Sequence, residues 1–282
     1  MAERNNFEPI LNGDQLNEGY FNGALACALT PNLLTNHVAS STYEQIPGVD
    51  VQVFDTEGSF TWTKPSGAQF ILVRCWAGGG GGGARHGHNT AGGNFPRTRG
   101  GAGGAFGQII LLASEVGTSE TIVVGEGGAA SPVLSSTGNG SGGAGGNSSF
   151  GAHIVSGGGA GGVGSTSSNL ASSSGGLYLN QTTIGTDGFY SGAAIAAGTG
   201  GPSLFGGGGG GGTSTSNSRD GGNSVFAGNG GASSAGSSGT RIGTPGGVPS
   251  GGGGSGSTAS GSCQGAAGGC GRVEVITIPK SV

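Results

Sequence analysis

The sequence is poor in charge and in large side chains, and the shortage is greatest in its middle. Charged residues make up 9% and aromatic residues 6% of the 282 residues, and no lysine occurs between Gly78 and Gly271. So few large side chains exclude an ordinary apolar core in that segment. A net charge of −4 also removes strong self-repulsion, the commoner driver of disorder.

The sequence lacks the features that are typical of several classes of protein. No apolar run reaches the roughly 18 residues that cross a bilayer. The N-terminus, which begins with residues 1–6, has no apolar segment typical of a signal peptide. We therefore expect synthesis in a cytoplasm. Four cysteines are too few and too scattered for a secreted disulfide framework. Cys263 and Cys270 are close enough to pair in an oxidising medium, but two thiols are the safer prediction. The pI near 5.5 gives no electrostatic footprint for nucleic acid.

Catalytic motifs are missing as well. The sequence contains no phosphate-binding loop, nucleophile elbow or zinc-protease helix. Asp187 and Asp220 have no acidic neighbour in sequence with which to form a glycosidase pair. We therefore expect no catalytic residue, no cofactor and no enzyme activity.

Glycine is the abundant residue, and it is concentrated in one block. Of 72 glycines, six precede Gly78 and none follows Gly271. Such composition is usually typical of a flexible linker. However, residues 49–54, 59–65 and 69–77 have strand patterns before the block, and residues 271–279 alternate strictly after it. A disordered tail has no reason to be bracketed by strands, so we expect the block to fold back to its starting point.

Shorter signals punctuate the block. Residues 106–113 and 120–125 flank a turn at 114–119, which predicts a β-hairpin, and 152–156 is a shorter strand candidate. The pattern G-G-x-S-x-F recurs at 145–150, 200–205 and 221–226. Its recurrence predicts that Phe150, Phe205 and Phe226 are equivalent anchors.

Glycine runs can form a fold of their own. Polyproline-II strands point their N–H and C=O groups outward, and glycine allows such strands to pack side by side. We predict an all-β protein in which a β-sandwich-like frame holds packed glycine polyproline-II strands, with loops at the surface. Residues 1–50, of ordinary composition, are predicted as a small mixed segment, and residues 51–282 as the glycine-rich domain.

The order of these segments resembles the glycine-rich domain at the ends of bacteriophage tail fibres and tail-tip proteins. The resemblance covers roughly residues 51–279. Its motifs are Phe60-Thr-Trp-Thr-Lys-Pro-Ser-Gly, the strand 70–76 running into 78–83, Gly100-Gly-Ala-Gly-Gly-Ala-Phe-Gly before a strand, and Val123-Val-Gly-Glu-Gly-Gly-Ala-Ala after the next. In architecture the chain is also similar to T-even-type fibre-tip adhesins, whose glycine sandwich carries variable loops that bind outer-membrane proteins.

The resemblance implies a location on the virion and a role in host adsorption by reversible binding. The implied partners are a host cell-surface receptor, either an outer-membrane protein or a glycan, and other tail or baseplate proteins bound through residues 1–50. A homo-oligomer is expected, with a trimer favoured, and no nucleic acid.

The candidate receptor contacts lie in glycine-poor segments between glycine runs, because rigid scaffolds present recognition on loops. Arginine and aromatic residues are enriched at binding hot spots. The candidates are Arg85, Phe95, Arg97, Arg99, Tyr178, Phe189, Tyr190, Arg219 and Arg241. The alternative for each is that it packs on the lattice or on a neighbouring chain.

His86 and His88 lie on one side of an extended chain and would ligate a metal only if three chains shared it. Two ligands fall well short of a complete site, so an ordinary polar loop is the favoured interpretation.

Three other functions stay open. A purely structural virion component, such as a tail tip, connector or capsid fibre, is the main alternative. An ice-binding protein would need a strict Gly-x-x period, against which the run 206–212 speaks. An exopolysaccharide-degrading enzyme is the remaining class.

Overall fold

A computed structural model describes residues 49–87, 97–165, 187–189, 198–213 and 217–280, the side chains of 187–189 excepted. Every regular element in these ranges is a strand, as the sequence predicts. The strands are β1 (Asp50–Phe54), β2 (Gly58–Thr63), β3 (Ala68–Trp76), β4 (Ala84–His86), β5 (Arg97–Thr98), β6 (Phe106–Leu112), β7 (Ser119–Val124), β8 (Gly138–Gly140), β9 (Ser148–Phe150), β10 (Ile154–Ser156), β11 (Gly164–Ser165), β12 (Asp187–Phe189), β13 (Ser234–Gly236), β14 (Thr240–Ile242), β15 (Gly256–Thr258), β16 (Ser262–Gln264) and β17 (Arg272–Pro279). Residues 1–48, most of the predicted small mixed segment, lie outside the described residues.

Two sheets form a β-sandwich that frames the glycine-rich block. One has the order β1-β17-β3-β6-β12 and the other β10-β9-β7-β2. Strand β17 pairs antiparallel with both β1 and β3, which places the end of the glycine block beside its beginning. The prediction that the block returns to its starting point is confirmed.

The apolar core lies between these sheets. Alternate residues of the strands face inward, as the period-two patterns require. The five-stranded sheet contributes Ile71, Val73, Cys75, Ile109, Leu111, Val273 and Val275, and the four-stranded sheet contributes Trp62, Ile122, Val124, Phe150 and Ile154. This core supports the frame, while the glycine block outside it must be held by other means.

The predicted hairpin between 106–113 and 120–125 is wrong. Strand β6 pairs with β3, whereas β7 pairs with β2 and β9 in the opposite sheet. The intervening turn therefore crosses from one layer to the other, and Val116 within it is buried in the core. Ile109 of β6 and Ile122 of β7 therefore enter the core from opposite sheets.

The glycine block forms a lattice of extended tracts that run to and from the sandwich. We define the glycine tracts as residues 77–83, 99–105, 125–133, 141–147, 157–163, 198–202, 207–213, 219–223, 228–233, 243–247, 251–255 and 265–270. They lie side by side, joined by backbone hydrogen bonds between residues far apart in sequence.

The tract 77–83 shows the rule by which the lattice is built. The N–H groups of Gly78 and Gly81 donate to tract 141–147, and those of Gly79 and Gly82 to tract 265–270. The N–H groups of Gly80 and Gly83 donate to tract 99–105. Each partner recurs after three residues, the period of a polyproline-II helix.

The carbonyl groups of the same tract complete its surroundings. They accept hydrogen bonds from tracts 125–133 and 157–163, from Gly253 in tract 251–255, and from Gly256, which follows that tract. The three segments whose N–H groups donate to tract 77–83 run parallel to it. The three tracts whose carbonyl groups accept its N–H groups run antiparallel to it. A backbone buried at this depth thus pairs its polar groups without a conventional sheet.

The lattice depends on the absence of Cβ atoms. A Cβ on Gly80 would collide with the backbone carbonyl of Ala160, and one on Gly252 with the carbonyl of Gly101. Neither glycine has a positive φ, so the requirement here is space and not an unusual backbone conformation.

The three G-G-x-S-x-F copies are not all equivalent. Phe150 lies in β9, fully buried, with its ring centroid 5.3 Å from that of Trp62. Phe205 and Phe226 instead stack on each other at 5.0 Å beside the lattice, next to a parallel bridge between Ser203 and Ser224. Phe150 differs because its copy pairs with β7 inside the frame, so the predicted equivalence holds for two copies only.

We expect Gly80→Ala to destabilise the protein, because the new methyl group would collide with the rigid backbone carbonyl of Ala160. Overpacking costs about 1–3 kcal/mol or more, which corresponds to a fall in Tm of roughly 5–10 °C. Gly138→Ala is the matched control, since its nearest atom outside the chain neighbours would be 3.8 Å away. Equal melting temperatures for the two variants would contradict the lattice.

We also expect Phe150→Ala to cost about 3–5 kcal/mol, as for other buried aromatic residues. Phe226→Ala should cost distinctly less, because Phe226 is half-buried and touches no residue of the sandwich core cluster. Chemical denaturation of both variants measures the difference, and equal losses would restore the original equivalence.

Candidate functional site

The tracts that leave the sandwich end in short strands at the far side of the lattice. We call this region, formed by β4, β5, β8, β11 and β13–β16, the distal end. Its largest sheet has the order β13-β15-β4-β8, and smaller pairs join β5 to β11 and β14 to β16. Strands β4 and β15 pair in parallel because the tracts that feed them both run outward.

Five of the arginines predicted as receptor contacts come together at this end. They are Arg85 in β4, Arg97 in β5, Arg99 directly after β5, Arg219 at the start of a returning tract, and Arg241 in β14. They are far apart in sequence, and the lattice collects them because each lies where a tract begins or ends.

Arg85 is held inside the distal sheet. Only 4% of the residue is exposed, and its Nη1 donates to the carbonyl of Gly138 at 3.2 Å and to Oδ1 of Asn139 at 2.9 Å. Its guanidinium therefore joins β4 to β8, and we leave it out of the proposed receptor surface.

His86 is also turned toward its own chain. It is 7% exposed, and its Nε2 lies 3.1 Å from the carbonyl oxygen of Gly261, to which an N–H at that position donates. A shared metal ion would have to displace this contact. His88 lies outside the described residues, and within the described ranges no three His, Cys, Asp or Glu side chains are grouped to hold a metal.

Arg97 and Arg99 are both half-buried, and Thr98 between them is fully buried. Arg97 pairs in register with Ser165 across β5 and β11. Arg99 donates from Nη2 to the carbonyl of Gly161 at 3.2 Å, and burial lowers the pKa of its guanidinium. Arginine stays protonated under such a shift, so Arg99 keeps its positive charge.

Arg219 and Arg241 lie on the other side of the distal end. Arg219 is exposed, and its backbone N–H is fixed by Oγ of Ser233 at 2.6 Å. The Arg241 guanidinium lies over Gly236, where any Cβ would collide with Nε and Nη2. The backbone therefore positions both residues, while the Arg219 side chain faces solvent.

Phe189 does not lie in a loop, although the sequence predicts it as a receptor contact presented on one. Its backbone belongs to β12 and pairs with Phe106 at the edge of the five-stranded sheet, at the sandwich end of the protein. The aromatic candidates Phe95, Tyr178 and Tyr190 lie outside the described residues, so their roles stay predictions.

A buried hydroxyl cluster was missed by the sequence analysis. Oγ1 of Thr98 donates to Oγ of Ser255 at 2.6 Å and accepts the N–H of Thr213 at 3.0 Å. The cluster ties three tracts together where they reach the distal end. Its signal is in the sequence, since Thr213 and Ser255 each end a long glycine run.

The described cysteines are free thiols. Cys75 and Cys263 are buried, and Cys270 is partly exposed. Burial raises the pKa of Cys75 to about 12. Cys27 lies outside the described residues.

The sequence matches the family described as a glycine-rich domain over residues 55–276. The chain belongs to this glycine-rich domain family. The match begins just after β1 and ends within β17, so it contains most of the sandwich and the whole lattice. No curated protein sequence matches the chain.

The glycine-rich domain shows no helix long and apolar enough to cross a membrane, among the residues for which a structure is described.

We expect Arg85→Met to destabilise the glycine-rich domain by about 1–3 kcal/mol, because the variant loses the two hydrogen bonds by which the buried guanidinium joins β4 to β8. Arg219→Met should change stability by less than about 0.5 kcal/mol, as for exposed surface positions. Chemical denaturation of the two variants compares them. A distal sheet that does not need Arg85 would leave both as stable as the parent.

Proposed function

We propose that this protein is a bacteriophage tail-fibre or tail-tip protein whose distal end recognises a receptor on the host surface. The resemblance described from the sequence motivates the virion assignment. Family membership supports only the glycine-rich domain itself, and the receptor role is argued from the arrangement of that domain.

The observation that carries the proposal is that the domain begins and ends at the same side. Strand β1 starts and β17 finishes as antiparallel partners, with Asp50 opposite Thr277. In the proposed virion, a connection made at the start of β1 and the end of β17 lies at the sandwich end and leaves the distal end to face outward. A scaffold attached at one end and carrying irregular segments at the other suits recognition.

The exposed chemistry of the distal end supports a binding role. Exposed hydroxyl and amide side chains surround the arginines there, among them Ser135, Ser136, Thr137, Asn139, Asn217, Ser218, Ser237, Ser238 and Thr240. Such groups offer many weak polar contacts without a reacting centre. Binding without chemistry fits this surface better than hydrolysis of a polymer.

A second candidate is a structural virion component that does not touch the receptor. It is favoured by the outer face of the five-stranded sheet, where large apolar side chains are exposed. These are Val53, Phe70, Ile110, Leu112 and Ile278. Contiguous exposed apolar patches often mark contacts between proteins, so this face fits the proposed homo-oligomer or a contact with another tail protein.

The test replaces residues 166–186 by a glycine-serine segment of equal length. We expect the purified variant to lose binding to host cells by at least about tenfold, and to lose its ability to block phage adsorption, because hot-spot contacts carry most binding energy. A matched control replaces the exposed residues 55–57, between β1 and β2 of the sandwich, by Gly-Ser-Gly and should bind as the parent does.

Labelling of intact particles with an antibody against the protein separates the two candidates. Labelled particles together with cell binding that survives the loop replacement would favour the structural component. Unlabelled particles would overturn both.

A further inference from the structure

Charge is segregated along the long direction of the lattice. Both lysines are at the sandwich end, Lys64 directly after β2 and Lys280 directly after β17. Five of the eight arginines in the sequence are at the distal end, namely Arg85, Arg97, Arg99, Arg219 and Arg241. The distal end thus carries only arginine as its basic residue.

Acidic residues have the opposite distribution. The described acids of the sandwich and of the adjoining lattice edge are Asp50, Asp55, Glu57, Glu115, Glu120, Glu126 and Glu274. Asp187 lies in β12 of the same sandwich. At the distal end the described residues include one carboxylate, that of Asp220. A protein with net charge −4 therefore has a positive distal end.

The other segments of the sequence after residue 48 add no charged side chain of either sign to the domain, and the C-terminal residues Ser281 and Val282 carry no ionisable side chain. Residues 88–96, 166–186, 190–197 and 214–216 contain no aspartate, glutamate, lysine or arginine. Among the described residues the ion pairs are those of Arg74, Arg272 and His153, and none involves Arg97, Arg219 or Arg241. No carboxylate of the described residues therefore neutralises these three guanidinium groups through an ion pair.

Arginine in place of lysine narrows the chemistry of that partner. The guanidinium presents a planar fork of donors that matches carboxylate, phosphate and sulfate groups in a bidentate way. Arg97 lies in β5, Arg241 in β14 and Arg219 at the start of tract 219–223, and exposed hydroxyl side chains are their neighbours in sequence, as Ser218 and Thr240 are. Arginines on separate segments suit an extended ligand bearing spaced anions and many hydroxyls.

We propose that the distal end binds an acidic polysaccharide, whose anionic groups engage Arg97, Arg219 and Arg241. The proposal rests on the proposed receptor-binding function and names its ligand class. An acidic protein surface fits less well, because hot spots on proteins need buried apolar anchors and Ile242 is the large apolar side chain exposed beside Arg241. A nucleic acid fits less well, because its continuous phosphate charge is usually met by a strongly basic domain.

The experiment measures binding of the full chain to immobilised polymers. Dextran sulfate and polygalacturonate supply sulfate and carboxylate groups on sugar chains, and unmodified dextran is the neutral control. Poly-glutamate and duplex DNA supply the same sign of charge without sugar hydroxyls or on a different backbone. We expect binding to the first two that falls as NaCl rises from about 50 to about 500 mM, because salt screens exposed charges.

The variant Arg97→Gln/Arg219→Gln/Arg241→Gln should lose at least about tenfold in affinity for the acidic polysaccharides, since charge-assisted hydrogen bonds are lost. Lys280→Gln, an exposed cation at the sandwich end, should change affinity less than about twofold, because charges beyond a Debye length are screened. Circular dichroism and Tm confirm that both variants stay folded.

Three results would overturn the proposal. They are equal binding to dextran and dextran sulfate, unchanged affinity in the triple variant, or binding to poly-glutamate or DNA as tight as to the acidic polysaccharides. If such a result accompanies normal binding to host cells, the ligand class alone is wrong. Absent cell binding in the preceding assay overturns the receptor function, whatever the polymers show.

Discussion

The whole structure depends on backbone hydrogen bonds that join each glycine tract to several neighbouring tracts. In tract 77–83, successive N–H groups turn by a third of a revolution, so that three neighbours each receive every third bond. The bonds form only if backbones approach more closely than a Cβ allows, as at Gly80. Because glycine loses more conformational freedom than other residues on folding, the lattice needs both this saturation and the apolar sandwich that fixes its ends.

Features of the fold that arise from local pattern were predictable. The bracketing strands follow from period-two alternation, and the packed tracts follow from the concentration of glycine between them. The partner of a strand was less accessible. The turn chemistry at 114–119 shows that the chain reverses, but it does not show whether β7 joins the sheet of β6 or the opposite one. Likewise, a shared motif could not show that Phe150 enters the core while Phe226 stays outside it.

The candidate site also has some features that the sequence predicts and others that it does not. Placing arginines in segments between tracts was enough to bring Arg97, Arg219 and Arg241 to one end, because tract ends meet there. The burial of Arg85 and His86 was hidden, since it arises from β15, which is distant in sequence but adjacent in space. The position of Phe189 was hidden for a similar reason, because β12 is too short to have a visible pattern. The strong charge asymmetry also required the fold, since the sequence shows only a mildly acidic total.

The antiparallel pairing of β1 with β17 has a mechanical consequence. A force that pulls on the sandwich while the distal end is held loads the lattice along the length of its tracts. The hydrogen bonds between tracts point across that direction, since polyproline-II strands direct their polar groups outward. Tension therefore shears many bonds at once and does not peel them apart one after another. The glycine lattice therefore resists extension between the sandwich and the arginine-bearing distal end.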